Sequence, residues 1–370
     1  MRRTLPPRGH FLLIILALLL VYTACTNIAE TTSPPPIFTD TAAARPTRSK
    51  PTQTPTPDPT SPPTMGTTPN LTPTHTPTIT TQAASWYHHP SAIWLSESYA
   101  HLTTPGRLIY TTLEDAIRGA GPTIHPPAGE VYLTYTTTQT VEGQTYYQLS
   151  PERWLGPLDL EPLTPSDFSG VLLSAPPESP FGWLLQDTWS QNGQGQALRQ
   201  LRRYDLIKLS TPDPDEISLI EIGPDEYLPK NLVSLVTLRA RPPEAARNCR
   251  WIEVDLALQT LQAYQDCALR FATLISSGSG EWYTPPGIYR VQYKIREHDL
   301  SNPPGVDQEY YIEKVPYLIY FSRPFALHAA YWHDAFGRPA SSGCINLSPS
   351  DAAWLYDWAL TGDPVLILGD

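Results

Sequence analysis

Residues 328–347 read HAAYWHDAFGRPASSGCINL and hold the most informative chemistry in the chain. Cys344 follows Gly343 directly, and His328 lies sixteen residues upstream of it. A thiol nucleophile needs a base, amide donors for a developing oxyanion and an exposed turn. Gly343 permits a tight turn, and an imidazole near a thiol supplies the thiolate. A lone cysteine is usually a small hydrophobic residue, but the polar approach Ser341–Ser342 favours a catalytic thiol here.

Two other cysteines flank a predicted hairpin. Residues 251–265 hold two alternating runs that predict paired strands. If Val254 faces Leu261, the facing positions at the open end lie within one residue of Cys249 and Cys267. In an exported protein this arrangement predicts a disulfide, which would contribute about 3 kcal/mol in the chain-entropy model. Two free thiols are the alternative.

The segment from His328 to Leu347 resembles the active-site signature of the L,D-transpeptidases. That signature reads His-Gly, then about fourteen to seventeen residues, then Ser-His-Gly-Cys, an apolar residue and Asn or Arg. Residues 252–264 are similar to the family's opening hairpin, residues 276–289 to its SxG…TPxGxY segment, and residues 364–368 to its closing strand. The resemblance covers roughly residues 249–370 through several motifs in the same order.

The resemblance implies a chemistry for the two residues at its centre. Cys344 would attack an L,D-peptide bond in a peptidoglycan tetrapeptide stem, with His328 as the base. D-Alanine would leave, and an amine on a neighbouring stem would resolve the thioester as a 3→3 cross-link. Peptidoglycan stem peptides are therefore the expected partners, and no cofactor and no metal is expected. Two alternatives remain open, an L,D-carboxypeptidase and a non-catalytic wall-binding protein with a degenerate transpeptidase fold.

The chain departs from the family signature at two positions. Ser342 stands where the family has His before Gly-Cys, and Ala329 stands where it has Gly after the first His. Ser342 can donate a hydrogen bond but cannot carry a charge. Together with Gly343 and Asn346 it is expected to support the catalytic turn and the backbone N–H groups of the oxyanion site.

Four more residues are candidates for contact with the substrate: Tyr320, Trp332, Arg338 and Ser341. The planar guanidinium of Arg338 suits a stem carboxylate, and a surface salt bridge with Asp334 is the alternative. Tyr320 and Trp332 either line the donor cleft or pack in the core. His333 is either a second base or a loop residue bound by its neighbours.

The expected fold is mainly β, with two small β-barrel modules before the catalytic domain. Residues 146–155 and 219–228 form a weak repeat of strand, turn, acidic residue, aromatic residue and Leu, at an offset of 73 positions. Such modules resemble the bacterial Src-homology-three-like type, which either binds wall peptides or positions the next domain. The predicted boundaries are 86–168, 169–245 and, for the L,D-transpeptidase-like domain, 246–370. A short helix capped by Ser348 is expected after the Cys motif.

The N-terminus predicts export. Arg2, Arg3 and Arg8 precede an eleven-residue apolar run, Phe11–Val21, which is short for a transmembrane helix. Cys25 follows small residues in a lipobox-like context, so residues 1–25 predict a lipoprotein signal peptide with Cys25 attached to membrane lipid. An ordinary signal peptide is the alternative. The expected location is outside the cytoplasm, on the cell envelope.

Composition separates a predicted linker from the folded part of the chain, and it argues against a nucleic-acid-binding protein, a zinc protein and a disulfide scaffold. Residues 31–80 contain 13 Pro and 17 Thr, so residues 26–85 predict a disordered linker. The whole chain has 25 basic and 36 acidic residues, a net charge of −11, which disfavours a nucleic-acid partner. Four cysteines without nearby histidine ligands do not fit a zinc site or a disulfide scaffold.

Overall fold

The structure is a computed structural model that describes residues 86–88 (backbone only), 98–103, 108–122, 129–157, 160–210, 218–245, 249–302 and 309–369. The predicted signal peptide, the linker and the lipidation site Cys25 lie outside these residues. Within the described part, no helix is both long enough and apolar enough to cross a membrane.

Strands dominate the part of the chain before residue 246. They are β1 (Trp86–His88), β2 (Ser98–Leu102), β3 (Ile109–Tyr110), β4 (Glu130–Tyr135), β5 (Thr137–Val141), β6 (Gln144–Ser150), β7 (Arg153–Leu155), β8 (Leu160–Leu163), β9 (Val171–Leu173), β10 (Phe181–Leu184), β11 (Thr188–Gln191), β12 (Ala197–Leu201), β13 (Leu206–Lys208), β14 (Leu219–Gly223), β15 (Glu226–Pro229) and β16 (Val233–Leu235). Helix α1 (Leu113–Arg118) lies between β3 and β4, and short 3-10 helices cover Lys230–Leu232 and Pro243–Ala245.

The C-terminal part is also mainly β. Its strands are β17 (Trp251–Asp255), β18 (Thr260–Gln265), β19 (Ala268–Leu274), β20 (Gly287–Arg290), β21 (Tyr293–Ser301), β22 (Tyr310–Ser322), β23 (Phe325–Ala329), β24 (Ile345–Leu347) and β25 (Pro364–Leu368). Helix α2 (Pro349–Trp358) follows β24, and a 3-10 helix covers Gly280–Trp282.

Two sheets contain the strands of the C-terminal part of the chain. Sheet I has the order β1-β9-β19-β18-β17-β25-β20, and sheet II has the order β24-β23-β22-β4-β2-β8 with β21 also paired to β22. Side chains from both sheets and α2 form one buried core, which includes Ile252, Leu261, Phe321, Leu327 and Leu355. Burial of this apolar surface is the main stabilising contribution.

The hairpin and the helix follow from local sequence. In β17 and β18, Val254 pairs with Leu261, the register that the alternation predicts. A disulfide joins Cys249 and Cys267 at the open end, with the Cα atoms 4.6 Å apart. Helix α2 begins after Ser348, whose hydroxyl accepts a hydrogen bond from the Asp351 N–H, as is typical of an N-cap.

Strands from before residue 246 extend sheets I and II. Strand β9 pairs with β19 in sheet I, and β4 pairs in parallel with β22 in sheet II, where Tyr132 is the partner of Ile312. Strand β1 follows β9 in sheet I, and β2 and β8 follow β4 in sheet II. The remaining strands of this part form three open sheets, β3-β7-β6-β5, β13-β10-β16 and β12-β11-β15-β14. In the described ranges none of these sheets closes into a barrel, so the structure supports a mainly β fold and not the two closed modules.

The buried Glu313 carboxylate fastens β4 and β7 to β22. Glu313, on β22, is 2% exposed, and one of its carboxylate oxygens accepts hydrogen bonds from the Thr134 N–H and hydroxyl at 2.9 and 3.1 Å. The other oxygen pairs with the Arg153 guanidinium. On the same face, the rings of Tyr99 and Tyr331 lie 4.0 Å apart. Strands β4, β2 and β8 are therefore held in a defined position in the same sheet as β22 and β23.

Candidate active site

A cavity of about 930 Å³ opens at the end of sheet II where β23 and β24 run in parallel. Four parts of the chain line it. The first is the turn before β24, with Cys344, and the second is β23 and the loop after it, with His328 and Trp332. The third is the upstream pair β2 and β4, with His101 and Tyr132, and the fourth is the end of β21 and the start of β22, with Leu300 and Tyr310. Within the described residues, no cluster of His, Cys, Asp and Glu is arranged to hold a metal ion.

His328 is held as a neutral base. It lies on β23 opposite Asn346 of β24 and is 2% exposed. Its Nδ1 lies 3.0 Å from the carbonyl oxygen of Ala329. A carbonyl can only accept, so Nδ1 carries the proton and Nε2 keeps its lone pair. Burial lowers the pKa of His328 to about 4, so the imidazole is neutral at physiological pH.

Cys344 is a half-buried free thiol that lines the same cavity. Burial raises the pKa of its thiol to about 11, and a hydrogen bond from the Ala326 backbone opposes that rise. The Sγ lies 3.9 Å from the carbonyl oxygen of Pro324, to which a protonated thiol donates. The resting thiol is therefore protonated, and His328 lines the same cavity as an uncharged ring.

The turn that presents Cys344 is fixed by side chains on both sides. The Ser341 hydroxyl accepts a hydrogen bond from the Gly343 N–H at 3.1 Å and donates to the Cys344 carbonyl at 2.5 Å. The Thr284 hydroxyl donates to the Gly343 carbonyl at 2.8 Å. These contacts order the turn from which the sulfur projects.

Gly343 is required by the geometry of this turn. Its φ of +113° lies in the region that favours glycine, and a Cβ at this position would lie 2.7 Å from the Phe325 ring. Any larger residue would therefore move the sulfur or the ring.

His333 contacts Asn346 on the other side of His328. Its Nδ1 accepts a hydrogen bond from the Ala335 N–H at 3.1 Å, so the proton of the neutral ring lies on Nε2. The Asn346 amide lies 2.9 Å from that Nε2, and Asn346, which is 2% exposed, has a side-chain oxygen without a partner. The amide NH₂ and the Nε2–H are both donors and cannot bond to each other. We therefore place the Asn346 amide oxygen against Nε2, which turns the amide NH₂ toward the side that has no protein partner. Burial, and second the proximity of His328, lower the pKa of His333 to about 4.

The remaining predicted residues are distributed unevenly around the cavity. Trp332, Ser341 and Ser342 line it. Tyr320 is 8% exposed and stacks on Tyr293 at 4.7 Å, so it packs behind the wall of the cavity. Arg338 is exposed and lies outside the lining residues.

Asp334 does not pair with Arg338. It is instead 3.1 Å from the Arg203 guanidinium, which lies between β12 and β13. The salt-bridge alternative for Arg338 therefore does not hold.

Sequence reasoning did not find the upstream lining residues. His101, Glu130 and Tyr132 lie about two hundred residues before Cys344 and reach the cavity because β4 pairs with β22. An alternating strand such as β4 gives no local sign of which distant strand it joins. Tyr310, at the start of β22, was missed for the same reason.

The chain resembles known proteins over its C-terminal third. Residues 250–367 match the family model of the YkuD L,D-transpeptidase catalytic domain. The Probable L,D-transpeptidase 3 of Mycobacterium tuberculosis (strain ATCC 25618 / H37Rv) is 36% identical over 99 residues, which are 25% of this chain and 36% of that relative. The chain thus spans about a third of the length of that curated relative.

Two solved structures of L,D-transpeptidases are similar in sequence to part of this chain. The solution structure of the catalytic domain from Enterococcus faecium L,D-transpeptidase is 29% identical, with 32% of this chain and 96% of that chain covered and a TM-score of 0.30. The L,D-transpeptidase of Stackebrandtia nassauensis is 29% identical, with 34% and 57% covered and a TM-score of 0.28. The family match and the sequence identities support a YkuD-type catalytic domain in residues 250–367.

Proposed function

We propose that the protein is a cysteine-dependent L,D-transpeptidase that acts on peptidoglycan stem peptides. One observation carries the proposal: the only free cysteine in the described residues and a buried neutral imidazole line the same cavity, on a turn and a strand that the fold places side by side. A thiol nucleophile beside an imidazole with an open lone pair suits acyl transfer. The match to the L,D-transpeptidase catalytic domain supplies the substrate class.

The acylation step follows from the neutral pair. Cys344 Sγ attacks the carbonyl carbon of the scissile peptide bond while His328 Nε2 takes the thiol proton. The new S–C bond forms, the C–N bond breaks, and the imidazolium returns its proton to the departing amine of D-alanine. General base assistance of this kind contributes about 10²- to 10⁴-fold. The backbone N–H of Cys344 and the ordered turn around Gly343 suit an oxyanion site.

The second half of the reaction regenerates the thiol. An acceptor amine attacks the thioester carbonyl and loses a proton to His328 Nε2. An amide forms, the S–C bond breaks, and the imidazolium proton returns to the sulfur. Cys344 and His328 end as the neutral pair with which they began, so no cofactor is consumed.

Intact-mass analysis of the protein tests this proposal. Incubation with a disaccharide-tetrapeptide, or with a β-lactam of the carbapenem class, should add one acyl group to the wild type. Cys344→Ala should give no adduct, and His328→Gln should slow adduct formation about 10²- to 10⁴-fold. Arg338→Gln is the matched control, because Arg338 is exposed outside the cavity, and it should acylate like the wild type. A wild type that forms no adduct with either reagent would contradict the proposal.

Product analysis separates the transpeptidase from the two alternatives. A cross-linked dimer of stems supports transfer, whereas a shortened stem without cross-link would indicate an L,D-carboxypeptidase. Binding to sacculi that is unchanged by Cys344→Ala, with no adduct in the wild type, would indicate a non-catalytic wall-binding protein. The neutral base and the free thiol favour an active enzyme over that last alternative.

We also propose that the protein works on the cell envelope, held to membrane lipid through Cys25 by a linker of residues 26–85. Support comes from sequence alone: the charged start, the eleven-residue apolar run and the Thr/Pro-rich composition. Cys25→Ala should release the protein from the membrane fraction into the medium. Retention of this variant in the membrane fraction would contradict lipidation at Cys25.

A further inference from the structure

The upstream strands contribute one complete wall of the cavity that holds Cys344. This wall, called here the upstream wall, consists of His101 on β2 and Glu130 and Tyr132 on β4. Its residues lie far from the catalytic signature in sequence and belong to the part of the chain that precedes the family match.

The upstream wall is connected to the base by a continuous row of rings. His101 stacks on Tyr132 with 4.8 Å between ring centroids, Tyr132 lies 6.2 Å from Trp332, and Trp332 lies 5.9 Å from His328. The Glu130 carboxylate lies at the far end of this row, 2.8 Å from His101 Nε2 and 3.3 Å from the Tyr132 hydroxyl. Aromatic faces next to a carboxylate are the surroundings that attract an ammonium group.

The charges around the cavity have one sign. Two carboxylates, Glu130 and Glu309, line it, and among its described lining residues none is Lys or Arg. The Glu130 side chain is 63% exposed, so it can bind an incoming cation without first losing all its water. A cavity with this lining attracts cations and repels anions.

A polar group inside the cavity has no protein partner. Asn346 is 2% exposed and lines the cavity beside His328, and its amide has one end unpaired. Buried polar groups are nearly always paired, so this end is available to a peptide that occupies the cavity. This observation is independent of the acidic residues and indicates that a ligand with polar groups fits between the upstream wall and the sulfur.

The upstream wall is built into the fold. The Glu130 N–H donates to the Glu309 carbonyl at 3.0 Å. A Cβ on Gly129 would lie 1.7 Å from that carbonyl oxygen, so only glycine permits the close approach of β4 to the start of β22. Hydrogen bonds from the Thr134 N–H and hydroxyl to the buried Glu313 carboxylate hold the same two strands together further along. The wall is thus preorganised toward the cavity, as a specific binding surface requires.

We propose that the upstream wall is the subsite for the acceptor amine, which it captures as an ammonium group on the Glu130 carboxylate beside the Tyr132 ring. The inference rests on the proposed function and deepens it, because it assigns the acceptor side of the cavity to residues outside the catalytic domain. Free amines of peptides are cationic at neutral pH, so the amine arrives charged. It releases one proton to solvent before it attacks the thioester, and during the attack its second proton passes through His328 Nε2 to the departing sulfur.

The test compares a charged and an uncharged acceptor on the same acyl-enzyme. The full chain is acylated with a tetrapeptide donor and then offered Nα-acetyl-lysine amide, whose amine is cationic, or methoxyamine, which is uncharged at neutral pH. In Glu130→Gln we expect the KM for Nα-acetyl-lysine amide to rise about threefold to fivefold, as the loss of one exposed charge contact predicts. Acylation, hydrolysis and transfer to methoxyamine should stay within about twofold of the wild type.

Two further variants make the result specific. Glu152→Gln removes one negative charge from an exposed turn of the same region, outside the cavity. It should change neither the KM for Nα-acetyl-lysine amide nor the rates of acylation, hydrolysis and transfer to methoxyamine. Tyr132→Leu removes a ring and keeps the carboxylate, and it should raise the KM for the charged acceptor only. Equal KM values for Nα-acetyl-lysine amide in the wild type and in Glu130→Gln would overturn the subsite while leaving the enzyme intact. A wild type that never acylates would overturn the proposed function and the subsite with it.

Discussion

The resting state of Cys344 makes a direct prediction about its reactivity toward iodoacetamide. Burial raises the pKa of the thiol from 9.0 to about 11. At pH 7 a thiol with that pKa is ionised to about one part in ten thousand, against about one part in a hundred at pKa 9.0. The more basic thiolate is intrinsically more nucleophilic by roughly eightfold. Alkylation at pH 7 should therefore be about tenfold slower than that of an ordinary exposed cysteine.

The pH profile of alkylation distinguishes this neutral pair from a thiolate–imidazolium pair. Because thiolate is the reactive species, the rate should rise about tenfold per pH unit from pH 6 to pH 10. The assay quantifies the modified Cys344 peptide by mass spectrometry, which separates it from Cys25 and from the disulfide-bonded cysteines. A rate that is already at its plateau at pH 6 would refute the neutral pair, since only a thiolate stabilised by charge reacts fully at that pH.

A substitution of the base completes the test. His328 is neutral above its pKa of about 4, so it contributes little to the stability of a resting thiolate. His328→Gln should leave the iodoacetamide rate at pH 7 within about twofold of the wild type. The same variant should acylate with a carbapenem about 10²- to 10⁴-fold more slowly, because proton removal during attack is lost. Equal losses in both assays would show that His328 acts on the resting thiol, which contradicts the mechanism.

Three predictions concern stability. Burial raises the pKa of Asp351 from 3.8 to about 6, so the native state binds this proton more tightly than the unfolded state does. The free energy of unfolding should therefore rise as the pH falls from 6 to 4, by about 3 kcal/mol at most. Urea unfolding at the two pH values should show this rise in the wild type and not in Asp351→Asn. Arg153→Met leaves the Glu313 carboxylate buried without its cation and should lower the free energy of unfolding by about 3–5 kcal/mol in the same assay. The double variant with Glu313→Gln should recover part of that loss of stability. Serine at Cys249 and Cys267, which close a loop with a separation of 18 residues, should lower the free energy of unfolding by about 3 kcal/mol.

The parts of the fold that sequence predicts are those with local causes. The two alternating runs around Val254 and Leu261 predict a pair of strands, and the structure pairs these two residues. Ser348 followed by Pro349 begins a helix because the serine oxygen pairs an open N–H and proline fits the first turn. The apolar run that ends at Phe321 lies in the long strand β22, because aromatic and β-branched residues favour strands.

The parts that sequence does not predict depend on pairings between distant segments. β4 joins β22 across nearly two hundred residues, and the glycine at position 129 matters only once Glu309 lies against it. The position of Tyr132 in the cavity is a consequence of that pairing, not of its neighbours in sequence. The same holds for the open sheets of residues 98–245, where the repeat at 146–155 and 219–228 predicts strands but does not decide how a sheet closes.

The departure at Ser342 is best understood from the charges around the sulfur. Ser342 is exposed at the cavity, so the position before Gly343 offers a hydroxyl and no titratable group. A second imidazole enters from the loop instead, because His333 bonds the Asn346 amide beside His328. With a pKa of about 4 this ring is also neutral at physiological pH, so it orders the cavity without adding a positive charge. A cationic ring at this position would lower the pKa of Cys344 and would repel the incoming ammonium group. Two neutral rings instead keep the thiol protonated, and the Glu130 carboxylate remains the charge that attracts the acceptor.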